Sequence, residues 1–269
     1  MNKMDRSLFE LREMDKLAAG DSPVHRVCPA AKLLTTIAYI AVTVSFGKYQ
    51  LSSLLVMILY PVMLFSLSGI PMGTCFRKLR FVLPLVMAVG AFNPVFDRTP
   101  MLTIGGVTVS GGVISMLTLM AKGVFCLMAS FLLMASTPID RLCAALRRFH
   151  IPPILVTLLL LTYRYVGVMT EEVSVMTDAY HLRAPGQKGI HVSAWGSFLG
   201  QLLLRSMDRA EELYGSMQLR GFSGSFVYAE SSRCGFRDLV WTVVWTAAFV
   251  LCRVFDPAAL LGSLLTGRI

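Results

Sequence analysis

Two short segments place an arginine where a predicted helix stops: Tyr180-His181-Leu182-Arg183-Ala184, followed by Pro185-Gly186, and Gln218-Leu219-Arg220-Gly221-Phe222. Proline cannot continue a helix, and glycine suits a left-handed cap because it has no Cβ, so both helices are expected to end there. An arginine at such an end has two readings. It can satisfy the last carbonyls and the helix dipole, worth a fraction of a kcal/mol. It can instead project as an anchor whose fixed fork of donors bridges carboxylates and backbone carbonyls on a partner. Both readings stand on the residues alone, and the repetition on two helices adds weight to the second.

Lys122 poses a separate question. It lies well inside an apolar stretch, where a cation is costly and defaults to a functional hypothesis. It can snorkel to the outer headgroups along its stem, or it can face backbone carbonyls or a partner within a helix bundle, the role favoured here. His25, His150, His181 and His191 are scattered over loops and helix ends and are not read as sharing a helical face with a ligand set of Cys, Asp or a second His. The cysteines Cys28, Cys75, Cys126, Cys143, Cys234 and Cys252 include no Cys-x-x-Cys. The spacing therefore predicts no metal site and no disulfide framework. A Gly-x-x-x-x-Gly-Lys-Ser/Thr loop, Gly-x-Ser-x-Gly and His-Glu-x-x-His are all absent, so any ATP must be hydrolysed by another protein. No cofactor is expected.

The elements that position these residues follow from composition. Of 269 residues, 55% are hydrophobic and only 15% charged, too few charges to clothe a soluble domain. A helix of roughly 20 residues crosses about 30 Å of hydrocarbon. Five such spans are read: Ala31 to Phe46, Leu51 to Leu67, Leu79 to Phe96, Val113 to Ala135 and Leu239 to Phe255. Around Gly105-Gly106, the runs Leu102-Thr103-Ile104 and Val107-Thr108-Val109 suit a small hairpin.

Lys16, Arg26 and Lys32 stand before or at the start of the first span, Arg77, Lys78 and Arg80 before or at the start of the third, and Arg141, Arg147 and Arg148 follow the fourth. All fall on one side, against Lys48, Arg98, Arg253 and Arg268 on the other, which puts the N-terminus in the cytoplasm and the C-terminus outside. The net charge of +9 then reflects topology and anionic headgroups rather than nucleic acid. The segment from Met1 to Arg26 lacks the apolar core of a signal peptide and is expected to stay in the mature chain. The chain divides into residues 1–136 with four spans, a cytoplasmic region at residues 137–238, and residues 239–269 with the last span and tail.

Within the cytoplasmic region, Ile154 to Met169 is apolar enough to suggest a sixth span. Arg164 interrupts it, and an extra crossing would carry the following helices to the outer face, away from any energy source, so it is read as not crossing. Glu171 to Arg183 and Ser197 to Arg220 read as separate helices. In the second, Leu199, Leu203, Met207, Ala210, Leu213, Tyr214 and Met217 recur at spacings of three and four, opposite Arg205, Asp208, Arg209, Glu211 and Glu212. Such an amphipathic helix with charges of both signs is suited to packing on another protein layer.

Thr162-Tyr163-Arg164-Tyr165, Glu171-Glu172, Arg205-Ser206-Met207-Asp208-Arg209-Ala210-Glu211 and the two Leu-Arg helix ends together resemble the T subunit of energy-coupling-factor transporters. The entry segment from Asp21 to Leu33 and Thr137-Pro138-Ile139-Asp140-Arg141-Leu142 resemble the same family, especially its cobalt-type CbiQ branch. The likeness runs over most of the chain, and the order of the pieces is specific where each piece is not. It implies coupling helices that end in Ala-Arg-Gly-like signatures and dock their arginines in grooves on two ATP-binding-cassette subunits. Here those are Arg183 with Leu182 and Ala184, and Arg220 with Leu219 and Gly221. The first departs from the pattern, because Ala184-Pro185 precede its glycine.

The expectation is thus an all-α polytopic protein of a prokaryotic cell membrane, with about five transmembrane helices and cytoplasmic amphipathic coupling helices. It would pass ATPase motion to a small substrate-binding membrane (S) subunit held by Leu199, Leu203, Met207, Leu213 and Met217, for uptake of cobalt or a related metal or vitamin, without being an enzyme itself. The alternative is a self-contained secondary transporter or an intramembrane enzyme. Against it, the chain has no internal repeat pair, its spans hold no acids, and Lys122 is alone as a charge deep within one.

Overall fold

The computed structural model describes residues 13–96, 100–104, 107–187, 189–222, 224 and 234–255. Arg98, Arg268, the Gly105-Gly106 turn and residues 1–12 lie outside the described residues. In chain order the main elements are α1 (Pro29–Ser45), α2 (Leu51–Val56), α3 (Leu59–Ser68), α4 (Met72–Gly90), β1 (Pro100–Ile104), β2 (Val107–Ser110), α5 (Gly111–Ser136), α6 (Ile139–Arg148), α7 (Pro153–Arg183), α8 (Trp195–Leu219) and α9 (Phe236–Phe255). This is an all-α polytopic membrane protein with one small hairpin, in which Leu102 pairs with Val109, Thr103 with Thr108 and Ile104 with Val107. The contacts divide the chain into two compact units, one of Asp15–Pro138 with Ser232–Ile269 and one that includes Ile139–Ser231.

Among the described residues four helices are long and apolar enough to cross a membrane: Leu51–Ser68 (α2 and α3 together), α5, α7 and α9, with α1 a shorter apolar helix. Two expectations change. The third span, read as Leu79 to Phe96, is α4, which starts at Met72 and ends at Gly90, followed by a separate helical turn at Asn93–Phe96. Its first half carries Arg77, Lys78 and Arg80, so it is apolar only beyond them. The stretch from Ile154 to Met169 and the helix expected from Glu171 are one continuous helix, the 31-residue α7. Gly167 lies where the apolar run gives way to acids, but an isolated glycine is tolerated within a helix, and Thr170 donates back to the Val166 carbonyl at 2.6 Å, inside the helix. At about 1.5 Å per residue, α7 is roughly 46 Å long.

In the first unit α5 is the hub, packing on α1, α2, α3 and α4. Glycine allows the closest of these approaches. A Cβ at Gly90 would lie 3.2 Å from Met116 Cγ, and one at Gly123 3.3 Å from Val86 Cγ1, so α4 and α5 meet at small residues, as close-packed membrane helices do. Beside them an aromatic cluster joins three helices. Tyr39 lies 4.7 Å from Tyr60 and 5.2 Å from Phe249 by ring centroids, and Tyr60 lies 4.8 Å from Trp245.

The break between α2 and α3 has a local cause. Pro61 has no N–H to give to the Met57 carbonyl four residues back. The hydroxyl of fully buried Tyr39 donates to that oxygen instead, at 3.0 Å. Removing the hydroxyl leaves a buried carbonyl without a partner. Tyr39→Phe is therefore expected to cost about 1–3 kcal/mol, seen as a lowered Tm of the detergent-solubilised protein.

α1 and α5 run antiparallel and are clamped at both ends by lysines. Near the start of α1, buried Lys32 donates to the Ser136 carbonyl at 2.8 Å and to Thr137 Oγ1 at 3.2 Å, closing the C-terminus of α5. From the middle of α5, Lys122 donates to the carbonyls of Val44, at 3.0 Å, and Phe46, closing the C-terminus of α1. Arg253 of α9 adds a bond to the intervening Ser45 carbonyl at 3.3 Å. Carbonyls at a helix C-terminus lack partners within the helix and carry its negative dipole end, so cations are suited to them. Lys32, counted from the sequence as a topology-setting charge, is thus a buried cap.

A further correction concerns sulfur. No disulfide was expected, but Cys28 at the start of α1 and Cys234 before α9 are joined as one, across a sequence separation of 206. Local spacing carries no information about a pair so far apart. Asp238 strengthens the same junction: one carboxylate oxygen accepts from Cys28 N at 3.0 Å, the other from Gly235 N at 2.9 Å. The second bond is the reach-back of a third-position acid to the residue capping its own helix.

Candidate coupling site

The second unit holds both arginine signatures. α7 ends at Arg183, where the Ala184 N–H closes on the Tyr180 carbonyl at 3.0 Å. Pro185 follows, and Gly186 turns the chain with φ +92°, a region that a side chain strains. Tyr180 then ties down the exit: its hydroxyl bonds Gln187 Oε1 at 2.8 Å and accepts from His191 N at 3.3 Å. The Ala-Pro insertion before the glycine is thereby accommodated in a defined turn.

α8 ends in a tighter device. Gly221, with φ +80°, donates to Gln218 O at 2.9 Å, and Phe222 N donates to Met217 O at 3.0 Å. These are the paired bonds of a Schellman cap, which satisfy the last carbonyls through the backbone alone. Arg220 N itself bonds Ser216 O and Met217 O. At this tip the Ser216, Met217 and Gln218 carbonyls are taken by the backbone, and among the described residues neither the Arg183 nor the Arg220 guanidinium has a hydrogen-bond or ion-pair partner. Both arginines are exposed. Each stands beside an exposed leucine, with Leu182 at 84% and Leu219 at 92% exposure. Ala184 is half-buried.

α7 and α8 touch, and an ion pair between Glu172 and Arg205 joins them. From that contact Arg183 is roughly 16 Å along one helix and Arg220 roughly 22 Å along the other. Arg209 and Glu212 pair at 3.7 Å on the charged side of α8, an exposed contact of little energetic weight. No residue of α8 is buried. Leu199, Leu203 and Met207 are 51%, 61% and 54% exposed, Leu204 and Tyr214 are similarly open, and Leu213 and Met217 are half-exposed. Leu204 lies one position off the stripe and is missed by a strict count of threes and fours.

Lys122 belongs to neither tip. Of the two readings open to it, the carbonyl-facing one is what the structure contains, with its ammonium on the end of α1.

The chain matches the CbiQ family, described as cobalt transport protein, over residues 20–229. It is 24% identical over 245 residues to the energy-coupling factor transporter transmembrane protein EcfT of Limosilactobacillus fermentum, covering 82% of this chain and 86% of that one. Over 103 residues, 38% of each chain, it is 30% identical to the nickel permease LarQ of Lactiplantibacillus plantarum. Over 95 residues, 34% of this chain and 38% of the other, it is 34% identical to the cobalt transport protein CbiQ of Rhodobacter capsulatus. With the family matched over most of its length and with helices fit to span a membrane, the chain belongs to the CbiQ family and is a membrane component of a transporter.

Proposed function

We propose that the chain is the T subunit of an energy-coupling-factor importer, with Arg183 and Arg220 as its two docking points for ATP-binding-cassette subunits. The observation that carries this reading is the pair of helix tips, each an exposed arginine beside an exposed leucine, with neither guanidinium partnered among the described residues. A guanidinium free to bridge carboxylates and carbonyls, next to an apolar knob, is the composition of an interface anchor. The open apolar stripe from Leu199 to Met217 is assigned to the S subunit. Closure of the ATPase pair on ATP draws the tips together, and α7 and α8, braced at Glu172 and Arg205, carry the shift to that subunit as a change between two packings. The tips face the cytoplasm and the N-terminus is inside, as the charge pattern favours. Cargo recognition belongs to the S subunit. The nickel and cobalt relatives favour a divalent metal ion, and the EcfT likeness keeps a vitamin in view.

Photocrosslinking amino acids placed singly at Leu182, Leu219, Leu203 and Met207 test the assignment in intact cells. The first two positions are expected to capture ATP-binding-cassette proteins and the last two a small membrane protein. Capture of the same partner from all four positions, or of none, contradicts it.

A further inference from the structure

Cys28, Cys234 and Asp238 form a second cluster, separate from the coupling helices. Both Sγ atoms and a carboxylate oxygen of Asp238 lie within 4.8 Å of one another. The carboxylate also holds the backbone on which both sulfurs are mounted, because it accepts from the N–H of Cys28 itself and from that of Gly235, next to Cys234. The three donors are thus organised by one acid at the start of α9. Cys28 is buried and Cys234 is half-buried, so the site is sheltered on one side and approachable from the other.

We propose that the reduced Cys28–Cys234 pair and Asp238 bind a thiophilic divalent cation of the zinc or cobalt class. On the orientation proposed above, this junction faces the cytoplasm, where thiols are kept reduced and disulfides seldom persist. Exchange with a cytosolic dithiol, itself oxidised to a disulfide, delivers two electrons and two protons and leaves two thiols against a carboxylate. Binding the ion releases those two protons and forms two metal–sulfur bonds, so that two thiolates and the carboxylate carry three negative charges against two positive ones. Bonds of about 2.3 Å to sulfur and 2.0–2.2 Å to oxygen put tetrahedral donors about 3.5 Å apart. Opening the sulfurs to that separation and drawing in the carboxylate fit the observed spread. Two sulfurs and one oxygen suit a borderline-soft ion and leave a fourth position for water. The N–H groups on the carboxylate are the outer shell that orients a ligating acid. The bound ion would fasten the entry segment to the last helix, residues far apart in sequence.

The test uses the full chain in detergent, reduced with a phosphine and titrated with Co2+. A thiolate-to-cobalt charge-transfer band is expected to rise to saturation at about one equivalent and to be displaced by Zn2+. Cys28→Ser and Cys234→Ser each abolish it, and Asp238→Asn weakens binding by about tenfold or more. Because Asp238 also caps α9, a second readout uses the unaltered chain: Zn2+ added to reduced membranes protects both thiols from maleimide, and a chelator restores their reactivity. The absence of a band in the reduced wild type overturns the proposal. So does a band that survives both cysteine variants, or a pair found already oxidised in membranes quenched with acid at harvest. None of these outcomes bears on the docking role of Arg183 and Arg220.

Discussion

Arg220→Glu is expected to abolish transport while the protein still reaches the membrane at wild-type levels. The residue is exposed and its guanidinium has no partner among the described residues, so reversing its charge removes nothing that holds the helix. The Schellman cap that ends α8 is made by Gly221 N and Phe222 N and does not involve the side chain. The loss must then fall on whatever the arginine meets outside the chain. An anchor contributing roughly 2 kcal/mol or more to an interface weakens attachment by about 30-fold or more when truncated, and a carboxylate in its place adds repulsion against an acidic groove. Arg183→Glu is expected to act in the same direction. Lys is a poor substitute at either tip because a point charge does not reproduce the planar fork. The readouts are Co2+ or Ni2+ accumulation in cells and the protein level in isolated membranes. Normal accumulation with Arg220→Glu contradicts the docking role.

Lys122→Met is expected to act in the opposite way, by lowering stability with the coupling surface intact. Its ammonium closes the Val44 and Phe46 carbonyls, and Arg253 closes that of Ser45 between them. With the lysine gone, two carbonyls at the end of α1 lose a charged donor in a region poor in water. The cost is about 1–3 kcal/mol, lowering Tm in detergent by several degrees and reducing membrane yield. Lys122→Arg keeps the cation and is expected to recover most of the loss. Metal accumulation per folded molecule should be unchanged in both. A drop in accumulation per molecule with an unchanged Tm would mean that Lys122 acts on cargo rather than on α1.

The apparent paradox of an intramembrane lysine arises from counting depth along a single helix. On α5, Lys122 is far from both ends. The antiparallel neighbour α1 has only 17 residues, and its end lies beside Lys122. The sequence supplies the charge and its apolar flanks but not the level at which another helix stops. The same limit applies to Lys32, a positive charge before the first span that proves to be the cap of α5.

What is local is legible. Pro185-Gly186 and Gly221 announce the ends of α7 and α8, and the strand runs around Gly105-Gly106 give the hairpin. The change from apolar residues to acids near Met169 invites a boundary, and Gly167 beside it does too, but an isolated glycine weakens a helix without ending it, and no proline follows before Pro185. The pairing of Cys28 with Cys234, and the bond that ties Asp238 to Cys28, join opposite ends of the chain and have no local signature. The exposed leucines beside both arginines were readable as residues, but their projection came only from the geometry of the helix ends.

The most direct measurement is affinity purification of the tagged chain in mild detergent, as wild type and as the Arg183→Glu, Arg220→Glu double variant, with everything that co-purifies identified and counted. The account predicts two ATP-binding-cassette subunits and a small membrane protein with the wild type, and loss of the ATPases with retention of the membrane protein in the double variant. A wild-type chain that purifies alone and still moves substrate across a liposome membrane would contradict it.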